Sequence, residues 1–139
     1  MSMVKLLPFA RFAKNIGIDV REVVENIIEE SEDFEVDDYR FIHEGAIDMI
    51  MEDDIGSDDY MLGCFNAHFL ADALDIDQDV IDAMQKAEAF EAIGKLAHSL
   101  GKIKTIQEMA VSWDGYGHHF SHYDGSEESV GGWYVFRLN

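Results

Sequence analysis

The stretch DGYGHHFSHYDG (Asp114–Gly125) sets His118, His119 and His122 within five positions, a density that raises the question of a transition metal. Imidazole ligands of one zinc ion must converge to about 2 Å from it. Flanking glycines and interleaved aromatics predict a strand here. In a strand His118 and His122 share a face but stand about 13 Å apart at roughly 3.3 Å per residue, and His119 points the other way. The histidines are therefore expected to pack and hydrogen-bond within a hairpin. Metal binding through His118, His119 and His122 stays as a third reading, and no resident metal or other cofactor is expected.

Other catalytic patterns are incomplete. His43 opens the phrase HEGAI, but the position four residues on is Ile47, so the second ligand of a zinc-protease helix is missing. Cys64 lies between apolar neighbours in MLGCFNAHF and is expected to be a buried thiol, with His68 four residues later. There is neither a phosphate-cradling glycine loop ending in Lys-Ser/Thr nor a nucleophile-elbow serine. The chain is expected not to be an enzyme.

Charge is the dominant feature. The 139 residues hold 29 Asp and Glu against 10 Lys and Arg, a net charge of −19. Residues 1–18 carry Lys5, Arg11 and Lys14 and no acid, whereas no Lys or Arg occurs between Phe41 and Gln85. Such a chain repels phosphates, so direct binding to nucleic acid or anionic lipid is disfavoured and any electrostatically chosen partner is basic. With 47% apolar residues the sequence can still build a core. One cysteine excludes an internal disulfide, and no apolar run reaches membrane length, so a cytoplasmic protein without membrane contact is expected.

These charges need elements to position them. Helical periodicity runs through residues 1–112 and predicts five to six helices. The first begins near Pro8 and stops at Gly17. Asp19 caps a second, VREVVENIIEESE, with Val20, Val23, Val24, Ile27 and Ile28 inward and Glu22, Glu25, Glu29 and Glu32 outward. A third, DDYRFIHEGAIDMIMED, turns Ile42, Ala46, Met49 and Ile50 inward and lines up Glu44, Asp48 and Glu52, with Asp53 beside them. A fourth spans DDYMLGCFNAHFLADAL, and Asp77 caps a fifth, QDVIDAMQKAEAFEAIGKLAHSL. A short helix follows at KIKTIQEMAV. In the tail, residues 113–139, glycines surround HHFSHY and WYVFRL, which predicts a C-terminal antiparallel β-hairpin. The expected fold is one α+β domain over 1–139: a mainly helical body, 1–112, carrying the hairpin, 113–139.

One corner has the spacing of a helix-turn-helix: Ala13, Gly17 and Val23 in FAKNIGIDVREVV. The second helix of that corner carries five acids against Arg21, so the corner is expected without DNA binding. The phrase recurs, as AKNIGID at Ala13–Asp19 and ADALDID at Ala71–Asp77, and is read as one solution to a helix–helix corner used twice.

Two stretches, DDYMLGCFNAHFLADALDIDQDVIDAMQKAEAFEAIGKLA and the tail from Asp114, resemble small proteins of phages and prophages, most distinctively in D-G-Y-G-H…Y-D-G. The resemblance implies an accessory gene of a mobile element, a setting in which acidic antirestriction and anti-defence inhibitors occur.

Like charges four residues apart on a helix repel by a few tenths of a kcal/mol per pair. Their rows, about 5.4 Å per turn, come near the roughly 7 Å between phosphates of one strand. The leading expectation is a DNA mimic that presents Glu22, Glu25, Glu29, Glu32, Glu44, Asp48, Glu52 and Asp53 to the basic surface of a host nucleic-acid-binding protein. A homodimer would join two such faces. The alternative is an interaction module using Tyr116, Phe120, Tyr123, Trp133 and Tyr134 of the hairpin.

Overall fold

The computed structural model describes residues 3–139. In chain order its elements are α1 (Met3–Ile16), α2 (Val20–Ile28), β1 (Asp33–Val36), β2 (Tyr39–His43), α3 (Ile47–Gly56), α4 (Asp59–Gly63) and α5 (Ala67–Leu74). There follow α6 (Gln78–Lys86), α7 (Phe90–Ser99), α8 (Ile103–Asp114), α9 (Gly117–Phe120), β3 (Glu128–Val130) and β4 (Trp133–Arg137). Helix and sheet are thus mixed, and the chain ends in a hairpin. They divide into two compact units, Met1–Ile47 with Gly115–Asn139, and Asp48–Asp114. The tail therefore joins the N-terminal segment, and the helical body and hairpin expected on either side of residue 112 are not the two units.

The first unit is built on a four-stranded antiparallel sheet in the order β1-β2-β4-β3. Phe34 pairs with Phe41, and Phe41 with Val135, so these side chains share one face of the pleat. That face packs with Phe9 and Ala13 of α1 and Val23 and Ile27 of α2. The Phe34 and Phe41 rings stack at 4.9 Å, and Trp133 meets Phe34 edge-on at 5.4 Å. On the other face Arg40 lies opposite Phe136. Its guanidinium makes a two-pronged bond to Asp33 at 2.9 and 2.8 Å and stands 5.1 Å from the centre of the Phe120 ring.

α1 ends as the spacing predicts. Ala13 is fully buried, Gly17 takes φ +75, and the Ile18 N–H donates to the Ala13 carbonyl at 3.0 Å. This six-to-one bond satisfies a terminal carbonyl and needs a left-handed residue just before its donor. Asp19 then accepts from the Glu22 N–H at 3.2 Å and opens α2.

In the second unit the same phrase makes the same corner. Ile76 donates to the Ala71 carbonyl at 3.1 Å, Asp75 holds φ +55, and Asp77 accepts from the Asp79 N–H at 2.8 Å. α4 and α7 approach closely through Gly63 and Gly94. Gln85 reaches from α6 to donate to the carbonyls of Gly63 and Phe65 at 2.9 and 2.8 Å, which closes off α4. Gln107, 2% exposed, donates to Asp48 Oδ1 at 2.9 Å.

Several boundaries differ from the sequence expectation. α1 starts before Pro8 and contains it. α2 stops at Ile28, leaving Glu29 as its cap and Glu32 outside. The expected third helix is helical only from Ile47; its first part is β2, paired with β1 across Asp37 and Asp38. Met49 of α3 is 63% exposed rather than inward. Expected helices four and five are each two helices: Asn66 caps α5 by accepting from Phe69, and Glu88 at φ +58 separates α6 from α7. HHFSHY forms no strand: His118 and His119 sit on the single turn α9, and the hairpin instead pairs β3 with β4 across Gly131 and Gly132.

Candidate functional site

The acidic candidates divide between the units. Glu22, Glu25 and Glu29 follow one exposed side of α2 and its cap, opposite the buried Val23 and Ile27. Axial rises of about 4.5 and 6 Å separate them at 1.5 Å per residue. Glu32 lies in the link to β1, and Glu44 in the turn after β2, where its N–H donates to the Gly132 carbonyl at 3.0 Å. Asp48, Glu52 and Asp53 belong to α3 of the second unit, so Glu44, Asp48 and Glu52 are not one helical row. Asp48 is engaged by Gln107, and Glu52 is half-buried.

Few cations answer these carboxylates. Arg21 Nε is 2.9 Å from Glu25 Oε1, with the two side chains 88% and 56% exposed, a pair worth a few tenths of a kcal/mol at most. Among the described residues no Lys or Arg lies within 4 Å of Glu22, Glu29, Glu30 or Glu32. Four acids outside the candidate set occupy left-handed backbone: Asp37 at φ +53 in the β1–β2 turn, and Glu30 at +58, Asp75 at +55 and Glu88 at +58 at helix ends. Glu30, Asp75 and Glu88 each follow a helix, at the position glycine favours, and add negative charge where the helix dipole is already negative. The available signal was the repeated corner phrase, which puts Asp75 where its first copy has Gly17.

Of the five aromatic candidates two are core, two half-buried and one exposed. Phe120 is 1% and Trp133 7% exposed, and Tyr116 and Tyr134 pair at 4.9 Å. Tyr123 is 56% exposed and lies under the Arg137 guanidinium at 3.9 Å.

The histidine stretch is organised by carboxylates. Glu127 Oε1 accepts from the backbone N–H groups of Tyr116 at 2.9 Å and Gly117 at 3.3 Å. Gly117 presses on the Gly125 carbonyl, a contact that leaves no space for a Cβ. Asp124 accepts from the Ser126 hydroxyl at 2.7 Å, the Ser126 N–H at 3.0 Å and the Ser121 hydroxyl at 3.2 Å. The Ser126 hydroxyl and then its N–H hold Asp124 below its ordinary pKa against the opposing effect of burial, with Ser121 and Arg137 adding less. His118 and His119 lie on the turn and His122 beyond it, and among the described residues no three His, Cys, Asp or Glu side chains are grouped to hold a metal ion.

Cys64 is exposed rather than buried, and His68 turns to Gln78 at 3.4 Å. A cavity of about 120 Å³ between Phe12, Tyr39, Asp124, Ser126, Glu128, Val135 and Arg137 falls below the roughly 300–1,000 Å³ of small-molecule pockets. No helix among the described residues is long and apolar enough to cross a membrane. Comparison with protein-family models, characterised proteins and solved structures returns no match for this chain.

Proposed function

We propose that this chain is a non-enzymatic, acidic inhibitor of phage-accessory type that imitates the charge of DNA and occupies the basic surface of a host nucleic-acid-binding protein inside the bacterial cell. The observation that carries this reading is the placement of carboxylates where the backbone disfavours them. Glu29 and Glu30 end α2 against its dipole, and Glu30, Asp75 and Glu88 hold positive φ that costs a non-glycine residue about 1–2 kcal/mol. Glycine, asparagine or lysine would serve stability better at those ends. Acid retained there supports a use for the charge itself, and the outward line Glu22, Glu25 and Glu29 is its most regular part. The resemblance to phage and prophage proteins supplies the setting.

The test is capture from nuclease-treated bacterial lysate on immobilised protein, eluted with rising salt. Retained DNA-binding proteins that release steeply with salt, compete with duplex DNA and are lost by Glu22→Lys/Glu25→Lys/Glu29→Lys are the expected outcome. A folded triple variant that still binds the same target would defeat the mimicry reading. So would release that does not respond to salt.

A further inference from the structure

We propose that two copies of this chain associate through α1 and α2, with α1 of one copy lying antiparallel along α2 of the other. α1 turns Phe9 and Ala13 to the core and leaves Val4, Leu7, Arg11 and Lys14 on its opposite side. Steps of three, four and three residues make those four a single helical stripe. Val4 is 75% and Leu7 45% exposed, and among the described residues no carboxylate lies within 4 Å of Arg11 or Lys14. Unanswered cations beside exposed aliphatic side chains are unusual on a chain with 29 acids and 10 bases. They mark a face whose partner is acidic and partly apolar.

α2 of a second copy has that composition. Its outer stripe is Glu22, Glu25, Ile28 and Glu29, with Ile28 54% exposed. Read from the Gly17–Asp19 corner outward, α1 presents Lys14, Arg11 and Leu7, and α2 presents Glu22, Glu25 and Ile28. The steps are three and four residues on one helix and three and three on the other, so an antiparallel alignment sets Lys14 against Glu22, Arg11 against Glu25 and Leu7 against Ile28. Both helices turn their inner stripes to the same sheet, so both outer stripes belong to one surface of the first unit. A two-fold rotation then matches each stripe to its complement, the self-complementarity a closed dimer requires. The exposed Arg21–Glu25 pair is weak enough to exchange. Repulsion between two chains of charge −19 acts over a distance that physiological salt cuts to about 8 Å, leaving the short-range pairs to decide.

This association does not depend on the proposed inhibition. Because the dimer covers Glu22 and Glu25, a target using them binds the monomer in competition with it.

Sedimentation equilibrium at physiological ionic strength, over a wide concentration range, tests the pairing. The wild-type chain is expected to dimerise. Arg11→Glu/Lys14→Glu and Glu22→Lys/Glu25→Lys should each weaken the dimer about tenfold or more, while their equimolar mixture forms a heterodimer that neither forms alone. If a double swap loses its fold by circular dichroism, Arg11→Glu and Glu25→Lys carry the same mixing test. A wild-type chain that stays monomeric overturns the proposal, as does a dimer indifferent to either swap. Folded swaps whose mixture remains monomeric overturn it as well.

Discussion

Gly63 and Gly94 make reciprocal contacts between α4 and α7. Gly63 faces the backbone of Phe90 and Gly94 faces that of Asp59, so each helix offers its glycine to the start of the other. A Cβ at Gly63 would stand 2.6 Å from Phe90 Cα, and one at Gly94 would stand 2.5 Å from Asp59 Cα. Both obstacles are backbone, which cannot swing aside as a flexible side chain can.

Alanine at either position therefore separates helix propensity from packing. Propensity alone favours alanine by about 1 kcal/mol in a helix interior, the place of Gly94, and by less at Gly63, the last residue of α4. Overpacking against backbone opposes it, and Gly63→Ala and Gly94→Ala are each expected to lose about 3 kcal/mol net in urea unfolding. The double variant should lose less than the sum, because the first substitution opens the gap that the second fills. A single variant as stable as wild type would mean that the two helices do not approach so closely.

The acids at helix ends give the opposite sign. Glu30→Gly, Asp75→Gly and Glu88→Gly each relieve a left-handed non-glycine residue and remove negative charge from a helix C-terminus. Each is expected to gain about 0.5–1 kcal/mol. Gly17→Ala, at φ +75 with nothing within 4 Å of its added Cβ, should lose about 1 kcal/mol through backbone strain alone. Urea unfolding of the four variants checks the pattern, and acid-to-glycine changes that destabilise would show those carboxylates to be structural.

That contrast also explains what could be read from the sequence. The α1–α2 corner was legible because its demands fall on residue types: a small Ala13, a left-handed Gly17 and a capping Asp19. Its second copy was legible as a phrase, although Asp75 replaces the glycine. The β1–β2 hairpin was hidden because Glu44, just after β2, and Asp48 and Glu52 of α3 keep one helical spacing across Ile47. The alternation of Asp33, Phe34, Glu35 and Val36, exposed and buried in turn, was the signal against it. Breaks after α4 and α6 were illegible for another reason. The bonds from Gln85 that close α4 come from 20 and 22 residues away, and Glu88 adopts a conformation its side chain does not favour. Of the candidate acidic face, the line on α2 was read correctly as outward. The continuation through Glu44 failed with the helix that was to carry it.

Glu127 went unmarked in the sequence because it serves backbone groups ten and eleven residues earlier. Glu127→Ala removes the acceptor for the Tyr116 and Gly117 N–H groups and is expected to cost about 1–2 kcal/mol. Glu127→Gln keeps an acceptor oxygen and should cost less. Amide exchange at Tyr116 and Gly117 reads the bond directly: faster exchange in the alanine variant is expected, and unchanged exchange would remove Glu127 from this role.

Asp124 supplies a test in pH. Its pKa is lowered in the folded chain from an ordinary 3.8, so its stabilising contribution is complete above that value and is lost as pH falls through the folded value below it. Carboxyl NMR titration is expected to place its midpoint under 3.8. Ser126→Ala should raise the midpoint most, because the Ser126 hydroxyl bond is the largest cause of the shift, and Ser121→Ala should raise it less. Both serine bonds favour the ionised carboxylate, so the variants should lack part of this stabilisation already at neutral pH and lose less stability on acidification than the wild type. A wild-type midpoint at or above the ordinary value would show that these bonds do not hold the loop in solution, and the turn bearing His118 and His119 would lose one of its two carboxylate anchors.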